Sequence, residues 1–128
     1  MKSNRLIIDP TKKGLRKTMK DWQELALRIV WESGEEGTTS VDVCRAVNEI
    51  ILDSKWSISR ASIIFILDDL VELGLLSFET EIGKGGIHRR YRTILNESGY
   101  VIYIARSPID NMIRDFPPET KEILSNYR

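Results

Sequence analysis

Two short stretches of this chain carry side chains whose types and spacing suit contact with a polyanion. The first is Ser59-Arg60-Ala61-Ser62, followed closely by Ile64 and Phe65. A Ser at the start of a helix leaves that N-terminus free to approach a phosphate. An Arg one residue later presents a planar fork that matches two acceptors on a guanine edge. Ser59 is equally explained as a plain cap, and Arg60 as a solvated charge. The second stretch is Gly83-Lys84-Gly85-Gly86, then His88, Arg89, Arg90 and Arg92. Phosphate contacts need long cationic side chains beside a backbone that comes close, and a basic glycine turn supplies both. Along a strand Arg90 and Arg92 point one way while Arg89 and Tyr91 point the other, so not all four face one ligand. Lys84 with Arg89 or Arg90 is the expected contact set. His88 reads as a bystander more than a pH switch.

A third basic group lies at the start of the chain. Residues 1–20 hold seven Lys and Arg against Asp9 alone, a local charge of +6 that the remaining residues cancel. A basic arm on an acidic body is a signature of nucleic-acid contact. Lys12, Lys13, Arg16 and Lys17 would then follow a backbone or reach a minor groove. A solvated tail is the other reading, and it stays open.

Catalytic chemistry finds little to work with. There is no phosphate-binding Gly-x-x-x-x-Gly-Lys motif, no His-Glu-x-x-His, and one histidine in total. Gly83-Lys84-Gly85-Gly86 lacks the strand–loop–helix setting of a phosphate cradle, because a strand follows it. Cys44 is the sole cysteine, so it forms no internal disulfide and has no neighbours for a metal site. It is expected to be buried, and a reducing cytoplasmic setting fits it. No enzyme activity, cofactor or metal is expected. No apolar run approaches the roughly 20 residues that span a bilayer, and no secretory leader is visible, so no membrane partner is expected.

These residues must be positioned by the elements around them. The 128 residues suit one compact domain with short extensions. After an irregular basic lead-in, Trp22, Leu25, Ala26, Ile29 and Val30 follow the spacing of a one-sided helix from Asp21 to the glycines at 34 and 37. Thr38-Thr39-Ser40 offers caps for a second helix over residues 40–53, with Val43, Val47, Ile50 and Ile51 inward. Trp56 is expected to pack in the turn that follows. A third helix over residues 59–73, capped by Ser57 or Ser59, turns Ile63, Ile66, Leu67, Leu70 and Val71 to the core and stops at Gly74. Residues 75–82 and 89–95 read as two strands about the glycine turn. Helix–helix–helix–strand–turn–strand is the order of a winged helix-turn-helix. The fold class is therefore α+β, mainly helical, with a two-stranded wing and a C-terminal helical extension. The expected domains are a basic arm at 1–20, a winged helix at 21–95 and helices at 96–128. Within that tail, Ser107-Pro108 reads as a helix restart, and Pro117-Pro118 as a second break.

Ile58-Ser59-Arg60-Ala61-Ser62-Ile63, with Leu67-Asp68-Asp69-Leu70 and Leu73-Gly74-Leu75-Leu76, resembles winged-helix bacterial and archaeal repressors. The MarR, PadR and penicillinase-repressor groups open their recognition helix on a similar Ser-Arg-Ala step. The Trp22-to-Trp31 helix before Gly34, and the wing from Gly83 to Tyr91, are also similar to these groups. The likeness covers about residues 21–95. It implies a homodimer on a pseudo-palindromic operator in double-stranded DNA, with recognition helices in successive major grooves and wings on the flanking backbone. The apolar tail residues Tyr100, Ile104, Ile109, Met112, Ile113 and Phe116 are then the expected dimer surface, or else a surface that folds back onto the first helix.

One feature of the third helix departs from that pattern. Its outer face carries Asp68, Asp69 and Glu72, which repel phosphate, together with Phe65. Either Phe65 meets thymine methyls, or it packs on a partner protein or elsewhere on this chain. The expected function is sequence-specific DNA-binding regulation, as a repressor. The alternative is a winged-helix protein-interaction module in a transcription or chromosome-associated assembly. No pocket-forming motif points to an effector ligand.

Overall fold

A computed structural model describes residues 7–52 and 57–127. Lys2, Arg5 and Trp56 lie outside the described residues. The elements run α1 (Asp21–Glu32), β1 (Thr38–Thr39), α2 (Ser40–Ile50), α3 (Arg60–Glu72), β2 (Leu76–Gly83), β3 (Gly86–Thr93), α4 (Glu97–Asp115) and α5 (Pro117–Ser125). The chain divides into two compact units, one ending at Asn96 and one beginning at Glu97. The first is a winged helix: three helices and a small antiparallel sheet of order β1-β3-β2.

Helical spacing brings one stripe of each helix to a common core. Ala26, Leu27 and Val30 of α1 meet Val43 and Val47 of α2 and Ile63, Leu67 and Leu70 of α3, all buried. Full burial of each large side chain is worth about 1.5–3 kcal/mol, which is why three helices with such stripes close on each other. Leu27 belongs to this core although the sequence pattern did not single it out. Ile50, expected inward, is 60% exposed because α2 has reached its last turn there.

Caps place the ends of these helices. The Thr39 hydroxyl accepts from the Asp42 amide at 3.3 Å, starting α2. Ser59 Oγ accepts from the Ser62 amide at 3.1 Å, starting α3. Asn48 joins the two helices. Its Oδ1 accepts from the Ile58 amide at 2.8 Å, and its Nδ2 donates to the Ile58 carbonyl at 3.0 Å. Both backbone groups of Ile58 are thus satisfied one residue before the α3 cap. At the other end, the Leu75 amide donates to the Leu70 carbonyl and the Gly74 amide to the Val71 carbonyl, both at 3.0 Å. This paired closure needs a left-handed residue, and Gly74 supplies it at φ +82°. Leu75 and Leu76 follow into the core, so α3 passes directly into the wing.

In the wing, β2 and β3 pair from Leu76↔Thr93 to Gly83↔Gly86. The returning strand starts at Gly86, earlier than residue 89, and includes Ile87 and His88. The short strand β1 was not visible in the sequence; it pairs Thr38↔Tyr91 and Thr39↔Arg90. Gly37 makes this approach possible, with φ +75° and room for no Cβ, which would lie 2.6 Å from the Tyr91 carbonyl. Trp31 Nε1 donates to the Leu95 carbonyl at 2.9 Å and fixes the end of the wing to α1.

The second unit holds two consecutive helices, α4 and α5, joined at Phe116. Pro108 lies inside α4 and does not restart a helix. The apolar spacing on both sides of it continues one helix, at the cost of the bond its absent N–H would give the Ile104 carbonyl. The break at Pro117-Pro118 is present, with proline in the first turn of α5. Thr120 Oγ1 donates toward the Phe116 and Met112 carbonyls, at 2.7 and 3.0 Å, and is buried at the corner. Among the described residues no helix is long and apolar enough to cross a membrane.

Candidate nucleic-acid interface

The outer stripe of α3, the start of α2 and the strand β3 line one cleft. Arg60, Ile64 and Asp68 stand on one side of it at intervals of four residues, which stacks them on a single helix face. Ile87, His88, Arg89 and Tyr91 form the wing side, and Thr39, Ser40 and Val41 close the end. The N-terminus of α2, with its partial positive charge, therefore opens into the same space as the first turn of α3.

Arg60 is exposed and has no ion-pair partner among the described residues. Its neighbours are more constrained. Ser59 is exposed but acts as the cap, and its hydroxyl also reaches Ser62 Oγ at 3.0 Å. Ser62 and Ile64 are half-buried, whereas Phe65 is 59% exposed on the adjoining stripe.

Asp68 has a role that its sequence position did not reveal. Its Oδ1 accepts from the Tyr91 hydroxyl at 2.6 Å and from Arg89 Nη1 at 3.0 Å. The Arg89 guanidinium also lies over the Phe78 ring, 4.2 Å from its centre. Asp68 is therefore a strut between α3 and the wing, and its charge is matched by Arg89 instead of facing the cleft alone. Burial of Tyr91, then its bond to Asp68, push the phenol up to about 12. Asp69 and Glu72 keep the acidic character that the sequence gives this end of α3.

The other wing arginines are engaged in the same way. Arg90 Nε meets both Glu81 oxygens, at 3.2 and 3.0 Å. That hydrogen bonding holds the Glu81 carboxyl below its usual range. Arg92 pairs with Glu79 and donates to the Glu35 carbonyl at 2.9 Å. Both ion pairs are diagonal across β2 and β3, within reach of long side chains. The alternation read from the sequence holds, since Arg89 and Tyr91 face α3 while Arg90 and Arg92 face away. Lys84, exposed at the wing turn, has no ion-pair partner among the described residues. Its carbonyl meets the His88 ring nitrogen Nε2 at 2.9 Å.

Among the described residues, the N-terminal cations do not line this cleft. Residues 9–20 fold back as a loop: the Asp9 amide donates to the Lys17 carbonyl at 2.7 Å, and Leu15 is buried. Lys12, Arg16 and Lys17 line a separate hollow beside the start of α1, which shares no residue with the cleft. Lys13 is exposed on the same loop. An extended arm is thus not the form of this segment over its described residues.

No known family model matches the sequence, and no curated protein does. The likeness of residues 21–95 to the MarR, PadR and penicillinase-repressor groups therefore rests on sequence pattern alone, without a family match behind it. Among solved structures, the chain is similar to a candidate transcriptional regulator from Thermoplasma acidophilum, at 16% identity over 84% of this chain and 96% of that one, with a TM-score of 0.46. A likeness that distant says nothing of what this chain binds.

Proposed function

We propose that this chain is a sequence-specific double-stranded DNA-binding regulator, acting in the cytoplasm as a homodimeric repressor. The observation that carries the reading is Arg60: an exposed cation with no ion pair among the described residues, in the first turn of α3, on the cleft that also receives the start of α2 and the wing. With α3 in the major groove, the Arg60 fork meets guanine acceptors, while Ser62, Ile64 and Phe65 offer a hydroxyl and apolar contacts to neighbouring base edges. Lys84 reaches a flanking phosphate from the wing turn. Arg89 and Arg90 contribute mainly by holding the wing in place, since each is already paired with a carboxylate. The dimer is supported by the second unit, where Val101, Ile102, Met112, Phe116, Ile123 and Leu124 are exposed. Of the residues expected on that surface, Met112 and Phe116 are exposed, Ile104, Ile109 and Ile113 are half-buried, and Tyr100 is buried. Occupation of an operator by such a dimer represses by excluding other proteins from the same DNA.

The test is selection of bound sequences from a pool of random duplexes, followed by affinity measurement across a salt series. The expected result is enrichment of a two-fold-related motif and a steep loss of affinity with salt, from counterion release. A second reading is a protein-interaction module. Phe65 on α3 and Ile82 at the wing tip, 87% exposed, favour it, as does the pairing of three wing arginines. No duplex affinity at low salt would decide for that second reading.

A further inference from the structure

The hollow beside the N-terminal loop lies outside the DNA reading and has a chemistry of its own. Its apolar floor is Trp22 and Leu25 of α1 with Ile51 beyond the end of α2, all half-buried. Four cations stand around it: Lys12, Arg16, Lys17 and Lys20. The two carboxylates in the lining are Asp9 and Asp21. Asp9 accepts from the Thr11 amide and hydroxyl, at 2.9 and 2.6 Å, and Asp21 is ion-paired with Arg16 at 2.8 Å. The Lys17 ammonium donates to the Lys12 carbonyl. Lys12 and Lys20 have no ion-pair partner among the described residues. The start of α1 opens into the same space, so its dipole adds to their field.

We infer that this hollow binds a small organic anion, a carboxylate or sulfonate carried on a flat apolar body. The apolar body lies against Trp22, Leu25 and Ile51, while Lys12 and Lys20 hold the charge. The volume of about 1020 Å³ suits a molecule of that size better than a bare ion. The inference is independent of what the cleft on the far end of α2 binds.

The test uses the full chain and two dyes of the same aromatic body, anilinonaphthalene sulfonate and its neutral analogue phenylnaphthylamine. The expected result is one sulfonate dye per chain, with the neutral dye at least tenfold weaker and tryptophan emission quenched through Trp22. Lys12→Ala/Lys20→Ala should weaken the sulfonate dye about tenfold, the usual scale for losing two exposed charge contacts. Lys12→Arg/Lys20→Arg should retain it, and Trp22→Phe should remove the matching part of the quenching. Equal affinity for the two dyes, or no effect of Lys12→Ala/Lys20→Ala, overturns the proposal. So does a lysine double variant that loses duplex affinity and keeps the dye, since the loop would then be a DNA-backbone contact.

Discussion

Asp68 couples the two halves of the cleft, because a single carboxylate accepts from Tyr91 on one strand and from Arg89 beside it. Asp68→Ala leaves a buried phenol and a half-exposed guanidinium without their partner. Denaturant unfolding should show a loss of about 2 kcal/mol, the scale of a removed charged hydrogen bond. Tyr91 gives a second readout. Its folded value of about 12 lies above the ordinary 10.0, so folding favours the neutral phenol. That contribution is whole below pH 10 and is lost as pH climbs through about 12. Absorbance titration should find a late-ionising tyrosine component, and Tyr91→Phe should remove it. Arg60 was legible in the sequence because its place in the first turn of a helix follows from local pattern. The partners of Arg89, Arg90 and Arg92 were not. Strand alternation separates their faces, but which carboxylate each one meets depends on register and on a helix more than twenty residues away.

Among the elements, boundaries set by local chemistry agree closely between sequence and structure. Ser59, one of two serines offered as the α3 cap, and Thr39, within the Thr38-Thr39-Ser40 run offered for α2, are the caps, and Gly74 ends α3 because its left-handed turn suits no other residue as well. The short strand β1 was hidden because two residues carry no periodicity; it exists through Gly37 and the edge of β3. The N-terminal segment misled for a related reason. Its charge pattern describes solvent exposure, but Leu15 is buried and Arg16 pairs with Asp21 at the start of α1, so the loop lies on the body. Pro108 shows the opposite error, where a local rule was overridden by continuous apolar spacing along α4. Pro108→Ala should restore the bond to the Ile104 carbonyl and relieve the ring's clash. It is expected to raise stability, by up to about 3 kcal/mol, with added helical signal in circular dichroism. No change in either quantity would mean that neighbouring groups already compensate for the proline.

For the whole molecule, neutral net charge conceals an uneven arrangement. Among the described residues, cations without ion pairs stand at Arg60 and Lys84, on the cleft and wing turn, and again at Lys12 and Lys20 around a separate hollow, while Arg89, Arg90 and Arg92 of the wing are internally matched. DNA affinity should accordingly depend on few charges and be moderate per protomer, so dimerisation through the C-terminal helices has to multiply it. Sedimentation should show a homodimer, and Met112→Glu/Phe116→Glu should yield a folded monomer that binds a full operator far more weakly. A double variant that stays dimeric would place the interface elsewhere. The most direct test of the central claim compares Arg60→Ala with Lys84→Ala on selected and random duplexes across a salt series. The account predicts that Arg60→Ala costs about 1–3 kcal/mol on the selected sequence and erases its preference over random DNA. Lys84→Ala should instead weaken all sequences alike and lower the salt slope by about one. Unchanged sequence preference in Arg60→Ala would contradict the account, because α3 would then not be the element that reads DNA.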